Sequence, residues 1–212
     1  MNKKQYIFFD FNGTIIDDLK LCLDLLNEFL IVQNKKPITV ERYKNIFGFP
    51  IRDYYAAAGI DFNIESYESL SHKFIVKYQP ASMECGLFPC VYDTLKYFKD
   101  NGYNLIILSA SQKDNLKEQC DNYKISDYFD AILGIDNIYA ASKSGIGIKY
   151  INDHNLNKDE CIFVGDTTHD AEIADEMGID AVLVSCGHQS VEVLSKTGKP
   201  IVDDISKLRV LI

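Results

Sequence analysis

Asp10 follows the apolar run Tyr6-Ile7-Phe8-Phe9 and precedes Phe11-Asn12-Gly13-Thr14. A carboxylate at the end of such a run can act as a nucleophile or hold a metal ion. Gly13 permits a tight backbone turn beside it, and the Thr14 hydroxyl can donate to an oxyanion. Further polar groups end or follow apolar runs along the chain. Ser109 closes Leu105-Ile106-Ile107-Leu108, and Asp166 closes Ile162-Phe163-Val164-Gly165, with Asp170 four residues later. Lys143 comes a short connection after the run Ala131 to Ile135. A hydroxyl, an ammonium and three carboxylates together suit phosphoryl transfer. Carboxylates hold Mg²⁺, and Mg²⁺ with a lysine neutralises the charge on the transferring group.

These groups share a site only if their runs are parallel strands of one sheet. The run before Asp10 and the segments Asn104 to Ser109, Ala131 to Ile135, Cys161 to Asp166 and Asp180 to Ser185 read as buried strands. Amphipathic helical patterns lie between them. Val91 to Asn101 places Val91, Leu95 and Phe98 on one face and stops at Gly102, and His169 to Met177 stops at Gly178. The alternation predicts an α/β fold, a doubly wound parallel sheet of the Rossmann-like kind. The carboxyl ends of its strands converge at the edge where such sheets bind ligands.

Residues 17–84 break the rhythm. They carry helical patterns only, at Leu19 to Val32, Val40 to Phe47, Ile51 to Ala58 and Tyr67 to Tyr78. The reading is a small all-helical domain, 17–84, inserted into a core of 1–16 and 85–212 and folded over the sheet's carboxyl end. The aromatics Tyr54, Tyr55, Phe62, Tyr67 and Phe74 are expected to pack it.

Composition narrows the partners. The chain has 212 residues, 47% of them hydrophobic, and a formal net charge of −9. That balance argues against broad nucleic-acid or anionic-membrane binding, which needs a basic face. It leaves room for a small anion at a local site built from a metal and one lysine. The six cysteines form no Cys-x-x-Cys pair, so zinc is not expected and reduced thiols in the cytoplasm are. The chain enters a strand almost at once, so no signal peptide is expected, and no apolar run approaches membrane-spanning length.

The order Asp10, Ser109, Lys143, Gly165-Asp166-x-x-x-Asp170 resembles the four motifs of the haloacid dehalogenase superfamily of phosphotransferases, whose first motif is usually Asp-x-Asp-Gly-Thr. The likeness spans nearly the whole chain. It is nearest to the phosphoglycolate phosphatase and β-phosphoglucomutase branch, in which a helical cap follows the first motif. Phe88-Pro89-Cys90-Val91 is similar to that branch's Pro-Gly-Val segment, and Gly48-Phe49-Pro50-Ile51-Arg52 to a cap loop facing substrate.

The resemblance implies a role for each residue. Asp10 would be the nucleophile and a Mg²⁺ ligand, with the backbone carbonyl of Asn12 as a second ligand. Asp166 would be a third, and Asp170 a ligand or an outer partner. Ser109 would bind phosphoryl oxygens, and Lys143 would pair with nucleophile and phosphate. Gly13, Thr14, Ala110 and Arg52 would contact substrate. The implied protein is a Mg²⁺-dependent phosphatase of a small phosphorylated metabolite, a monomer or homodimer. A phosphomutase and a non-catalytic relative that binds phosphometabolites stay open.

There are three departures from the family pattern. Cys90 replaces glycine. Ser144 replaces the common proline after Lys143, which leaves Lys149 as a competitor. Asn12 replaces the expected general acid/base. An amide can hydrogen-bond but cannot usefully move a proton, so turnover should suffer while metal and phosphate binding survive, unless another base such as Asp17 acts. Outside the motif order, Asp10 and Asp166 also suit turn or helix-cap roles, Arg52 a surface role, and His169 capping or simple exposure.

Overall fold

The computed structural model describes residues 4–135 and 142–212. Six strands form one sheet: β1 (Tyr6–Phe9), β2 (Asn104–Gln112), β3 (Ala131–Ile135), β4 (Cys161–Gly165), β5 (Asp180–Val184) and β6 (Ile201–Val202). Their spatial order is β3-β2-β1-β4-β5-β6, and every pair is parallel. This is the doubly wound sheet expected from the sequence. β1 lies between β2 and β4, with Phe8 opposite both Ile106 and Phe163. The chain order reverses about β1, so Asp10 leaves the sheet at its topological switch point.

Alternation along the strands divides the core. Ile7, Phe9, Leu105, Ile107, Ile162 and Val164 face one side with Val91, Leu95 and Phe98 of α5 (Val91–Asp100) and Leu116 of α6 (Lys113–Asn122). Phe8, Ile106, Leu108 and Phe163 face the other, against Ile151 of α7 (Lys143–Asp153) and Ile173 and Met177 of α8 (Thr168–Met177). Both faces are covered, as parallel sheets require.

Between β1 and α5 come four helices: α1 (Leu19–Val32), α2 (Val40–Ile46), α3 (Ile51–Ala58) and α4 (Tyr67–Ser82). They enclose a cluster of their own, which includes Leu26, Phe29, Leu30, Tyr43, Tyr54 and Leu70. α4 continues past Tyr78 through Pro80. Its end is held by tertiary bonds, because Gln119 of α6 donates to Ser82 Oγ at 2.7 Å. Among the described residues no helix is long and apolar enough to cross a membrane.

Four further elements carry too weak a pattern to be read from sequence. α6 is mostly polar and buries only Leu116, Gln119 and Cys120. α7 buries Lys143 and Ser144 among its few covered residues. α9 (Val191–Leu194) and β6 are too short to show a period. β2 also runs beyond Ser109, through an irregular register between Leu108 and Gln112.

Candidate active site

Lys143 opens α7, whose N-cap Ser142 accepts the Gly145 N–H on its side chain. That turn aims the lysine inward. Its Nζ donates to Asp10 Oδ1 at 2.5 Å and to Asp170 Oδ1 at 2.8 Å, and stands 5.1 Å from the Phe163 ring centroid. All three charged side chains are buried. Burial opposes the Lys143 charge, but the two carboxylates hold its pKa above the ordinary value. Lys149, the other candidate, pairs with Asp153 on the exposed side of α7.

Asp170 is tied into α8 by a capping box with Thr167. Its Oδ2 accepts the Thr167 N–H at 3.0 Å and the Asp166 N–H at 3.2 Å. Burial would raise its pKa, yet Lys143 and the Thr167 bonds bring it below the ordinary value. Thr167, not Asp166, is the cap residue, which leaves the Asp166 carboxylate for other partners. Asp166 accepts from Thr14 Oγ1 at 3.3 Å and from the His188 N–H at 2.6 Å. The oxyanion met by Thr14 is therefore Asp166 itself. Gly13 and Gly187 make this approach possible. A Cβ on Gly13 would lie 2.3 Å from Asp166 Oδ2, and one on Gly187 2.2 Å from the same atom.

Ligand oxygens of Asp10, Asp166 and Asp170 lie within 4.8 Å of one another. Burial raises the Asp10 pKa to about 6, and burial with the neighbouring Asp170 and Asp10 charges raises Asp166 to about 8. A set of hard oxygens that burial makes costly to ionise fits a hard divalent cation.

Asn12 sits in a second polar network that the sequence did not announce. Its Nδ2 donates to Asp18 Oδ2 at 3.0 Å and to the Tyr78 hydroxyl at 2.5 Å, and its Oδ1 accepts from Ser111 Oγ at 3.2 Å. Asp18 also accepts from the Gly13 N–H and from Tyr78, and its Oδ1 lies 3.1 Å from His188 Nε2. His188 Nδ1 meets the Tyr43 hydroxyl at 2.8 Å. Burial favours the neutral acid, but His188 holds Asp18 below its ordinary pKa. Burial likewise disfavours imidazolium, and Asp18 overcomes it to lift His188 to about 9. Asp17, the alternative base, is exposed, and its neighbour Asp18 takes the inward position. One signal for His188 was present. It follows the fifth strand as Asp166 follows the fourth, at the same sheet edge.

A cavity of about 420 Å³ opens above these groups. Its wall includes Asp10, Asn12, Ser109, Ala110, Lys143, Asp166 and Asp170, together with Asp18, His169 and His188. The structure does not bring Gly13 and Thr14 to the wall: both are buried, and Thr14 bonds Asp166. The structure does not bring Arg52 to the wall. Arg52 is exposed, with its guanidinium 5.2 Å from the Phe62 centroid, while Phe49 and Ile51 of the same segment do line the cavity. Cys90 packs against the core instead.

The shifted groups set an expected pH dependence for the metal-free protein. Asp10, Asp166 and His188 all bind their proton more tightly folded than unfolded. Their stabilisation is complete at low pH. It is lost as pH rises through about 6, 8 and 9 respectively. Asp18 and Asp170 shift downward and titrate below this window. Tm in a chelator should therefore fall from pH 6 to 9, and Mg²⁺ should reduce the fall by favouring ionised carboxylates. A melting series in which the chelated Tm is flat or rises over that range contradicts this charge arrangement.

The haloacid dehalogenase-like hydrolase family matches residues 7–184. With a doubly wound sheet, a polar site at its switch point and a match over most of its length, the chain belongs to that family. It is 26% identical over 188 residues to the phosphoglycolate phosphatase of Caulobacter vibrioides, covering 86% of this chain and 79% of that protein. It is 23% identical over 223 residues to the probable phosphatase IndB of Dickeya dadantii, covering 97% and 92%. A haloacid dehalogenase-like hydrolase from Streptococcus pneumoniae superposes with a TM-score of 0.83 at 20% identity, covering 100% of this chain and 99% of that one.

Proposed function

We propose that the protein is a divalent-metal-dependent phosphatase of small phosphate monoesters that works through an aspartyl phosphate on Asp10. The observation that carries this reading is Lys143 Nζ bridging Asp10 and Asp170 beside Asp166, on the wall of a cavity at the switch point. Asp10, Asp166 and the backbone carbonyl of Asn12 would hold Mg²⁺, with Asp170 as a further ligand or an outer partner. When bound, the cation supplies charge neutralisation at the transferring group.

Lys143 fixes Oδ1 of Asp10, so the nucleophile is oriented before substrate arrives. The carboxylate attacks phosphorus, and the P–O bond to the leaving group breaks with its electron pair going to that oxygen. Ser109 hydrogen-bonds the phosphoryl oxygens. Water then attacks phosphorus, releasing phosphate and restoring Asp10. Asn12 cannot pass a proton in either half. Asp18 holds the Asn12 amide in place, but its charge is committed to His188.

Residues 17–84 would act as the cap that closes over substrate. The free cysteines Cys22, Cys85, Cys90, Cys120, Cys161 and Cys186 support a reducing, cytoplasmic setting.

The test is Mg²⁺-dependent phosphate release from an aryl phosphate. Asp166→Ala should lower Mg²⁺ affinity by about 10-fold or more with little change in the folded content. Equal affinity by calorimetry in this variant, or release that survives chelation, counts against the reading.

A further inference from the structure

We propose that the site takes a phosphate monoester whose leaving group is an uncharged aromatic alcohol, not a carboxylated one. This rests on the phosphatase reading above and adds to it the chemistry of the substrate's far end.

The first observation is the wall. Five tyrosines and three phenylalanines line the cavity. Tyr43, Tyr54 and Tyr55 are buried and serve the helical cluster. Phe49, Tyr67, Phe74 and Tyr78 are only partly covered, and Ile75 beside them is exposed. Tyr67 and Phe74 also pack against the helical cluster, yet all four keep part of their surface on the cavity. Phe74 stacks on Tyr78 with centroids 5.2 Å apart and planes at 14°. The Tyr78 hydroxyl meets Asn12 Nδ2, so this flat apolar wall stands next to position 12. A ring entering there gains the stacked and edge contacts aromatic groups prefer.

The second observation is charge. Among the described residues no arginine lines the cavity, and Lys143 is its one lysine. Lys143 is held by Asp10 and Asp170, and His188 by Asp18. His169 Nδ1 pairs with Glu172, and its ring lies against Phe49. Residues 136–141, Asp-Asn-Ile-Tyr-Ala-Ala, contain no lysine or arginine. A substrate carboxylate at the far end of the cavity would thus find no lysine or arginine on the described wall that is not already paired with a carboxylate. An unpaired charge in such a place is costly.

The third observation is Asn12 itself. Without an acid at position 12, that side chain gives the leaving oxygen no proton as the P–O bond breaks. A phenolate, whose parent phenol has a pKa of about 10, departs without one far more readily than an alkoxide, whose parent alcohol is a much weaker acid. It takes its proton from solvent afterwards. The wall and the chemistry thus select the same leaving group.

The experiment compares phenyl phosphate, acetyl phosphate and phosphoglycolate with Mg²⁺ present, and measures calorimetric binding of phenylphosphonate against phosphonoacetate. Acetyl phosphate has a good leaving group but no ring. The expected kcat/KM for phenyl phosphate exceeds that for phosphoglycolate by roughly 100-fold. Phe74→Ala should lower the phenyl-to-acetyl ratio about tenfold. Phenylphosphonate should bind more tightly than phosphonoacetate. The proposal is overturned if phosphoglycolate is turned over as well as phenyl phosphate, if Phe74→Ala leaves the ratio unchanged, or if phosphonoacetate binds as tightly. Tight phenylphosphonate binding with no phosphate released from any of the three would sink the phosphatase reading while supporting the aromatic site.

Discussion

Asn12→Asp is expected to raise steady-state turnover of an alkyl phosphate by roughly 10²-fold or more, the usual range for a restored general acid/base. The surroundings of position 12 add a second expectation. Asn12 Nδ2 donates to Asp18 Oδ2 at 3.0 Å, so an aspartate there would set two carboxylates against each other. One of them must then hold a proton to a higher pH than an isolated acid would. The variant should show an acid limb of kcat/KM shifted upward, and a proton available for the leaving oxygen. Aryl phosphates should gain less than alkyl phosphates, because a phenolate needs the proton less. With the native Asn12, an aryl phosphate should give a burst and then slow release, since hydrolysis of the intermediate lacks a base. Intact mass should confirm that Asn12, which precedes Gly13, has not deamidated. Unchanged turnover in Asn12→Asp would mean that another group moves the protons.

Asp10→Asn is expected to abolish both the burst and the turnover, a loss of roughly 10⁴-fold or more, as when a covalent nucleophile is removed. The same variant should be more stable without metal. Burial raises the Asp10 pKa to about 6, so at pH 8 the folded chain carries a charge its surroundings disfavour. Asparagine resembles the neutral acid, and Lys143 keeps Asp170 as a partner. A Tm rise of about 2–4 °C in chelator at pH 8 corresponds to roughly 1 kcal/mol in a chain of this size. Lost activity with higher stability marks a group kept for chemistry. A large Tm drop would instead make Asp10 a structural member of the Lys143 pair.

Much of the architecture was legible because its cause is local. Phe8 and Phe9 point to opposite faces of a covered sheet, so both must be apolar, and a short apolar run with a polar end is the result. Gly102 and Gly178 stop α5 and α8 in left-handed conformations with φ of 79° and 72°. The polar ends of β1, β2 and β4 then had to meet, because parallel strands bring their carboxyl ends to one edge. Lys143 was legible through the order of motifs and not through its helix. α7 and α6 have few buried apolar positions, so tertiary packing defines them more than their own period.

Arg52 shows where local reading stopped. Its place in a loop-like segment said nothing about which way α3 would turn, and the entry to α3 presents Phe49 and Ile51 to the cavity while Arg52 lies over Phe62. The setting of Asn12 is the sharper case. By itself the sequence determined that the expected acid is missing at position 12 and that Asp10, Ser109 and Asp166 close apolar runs, with Lys143 and Asp170 a short way beyond theirs. Only the tertiary structure decided what surrounds Asn12: Asp18 from the start of α1, Tyr78 from α4 and Ser111 from β2 touch it, and His188 after β5 holds Asp18. These residues come from four separate elements. No spacing along the chain encodes their approach, which depends on how a helical block with its own core seats over the sheet's edge.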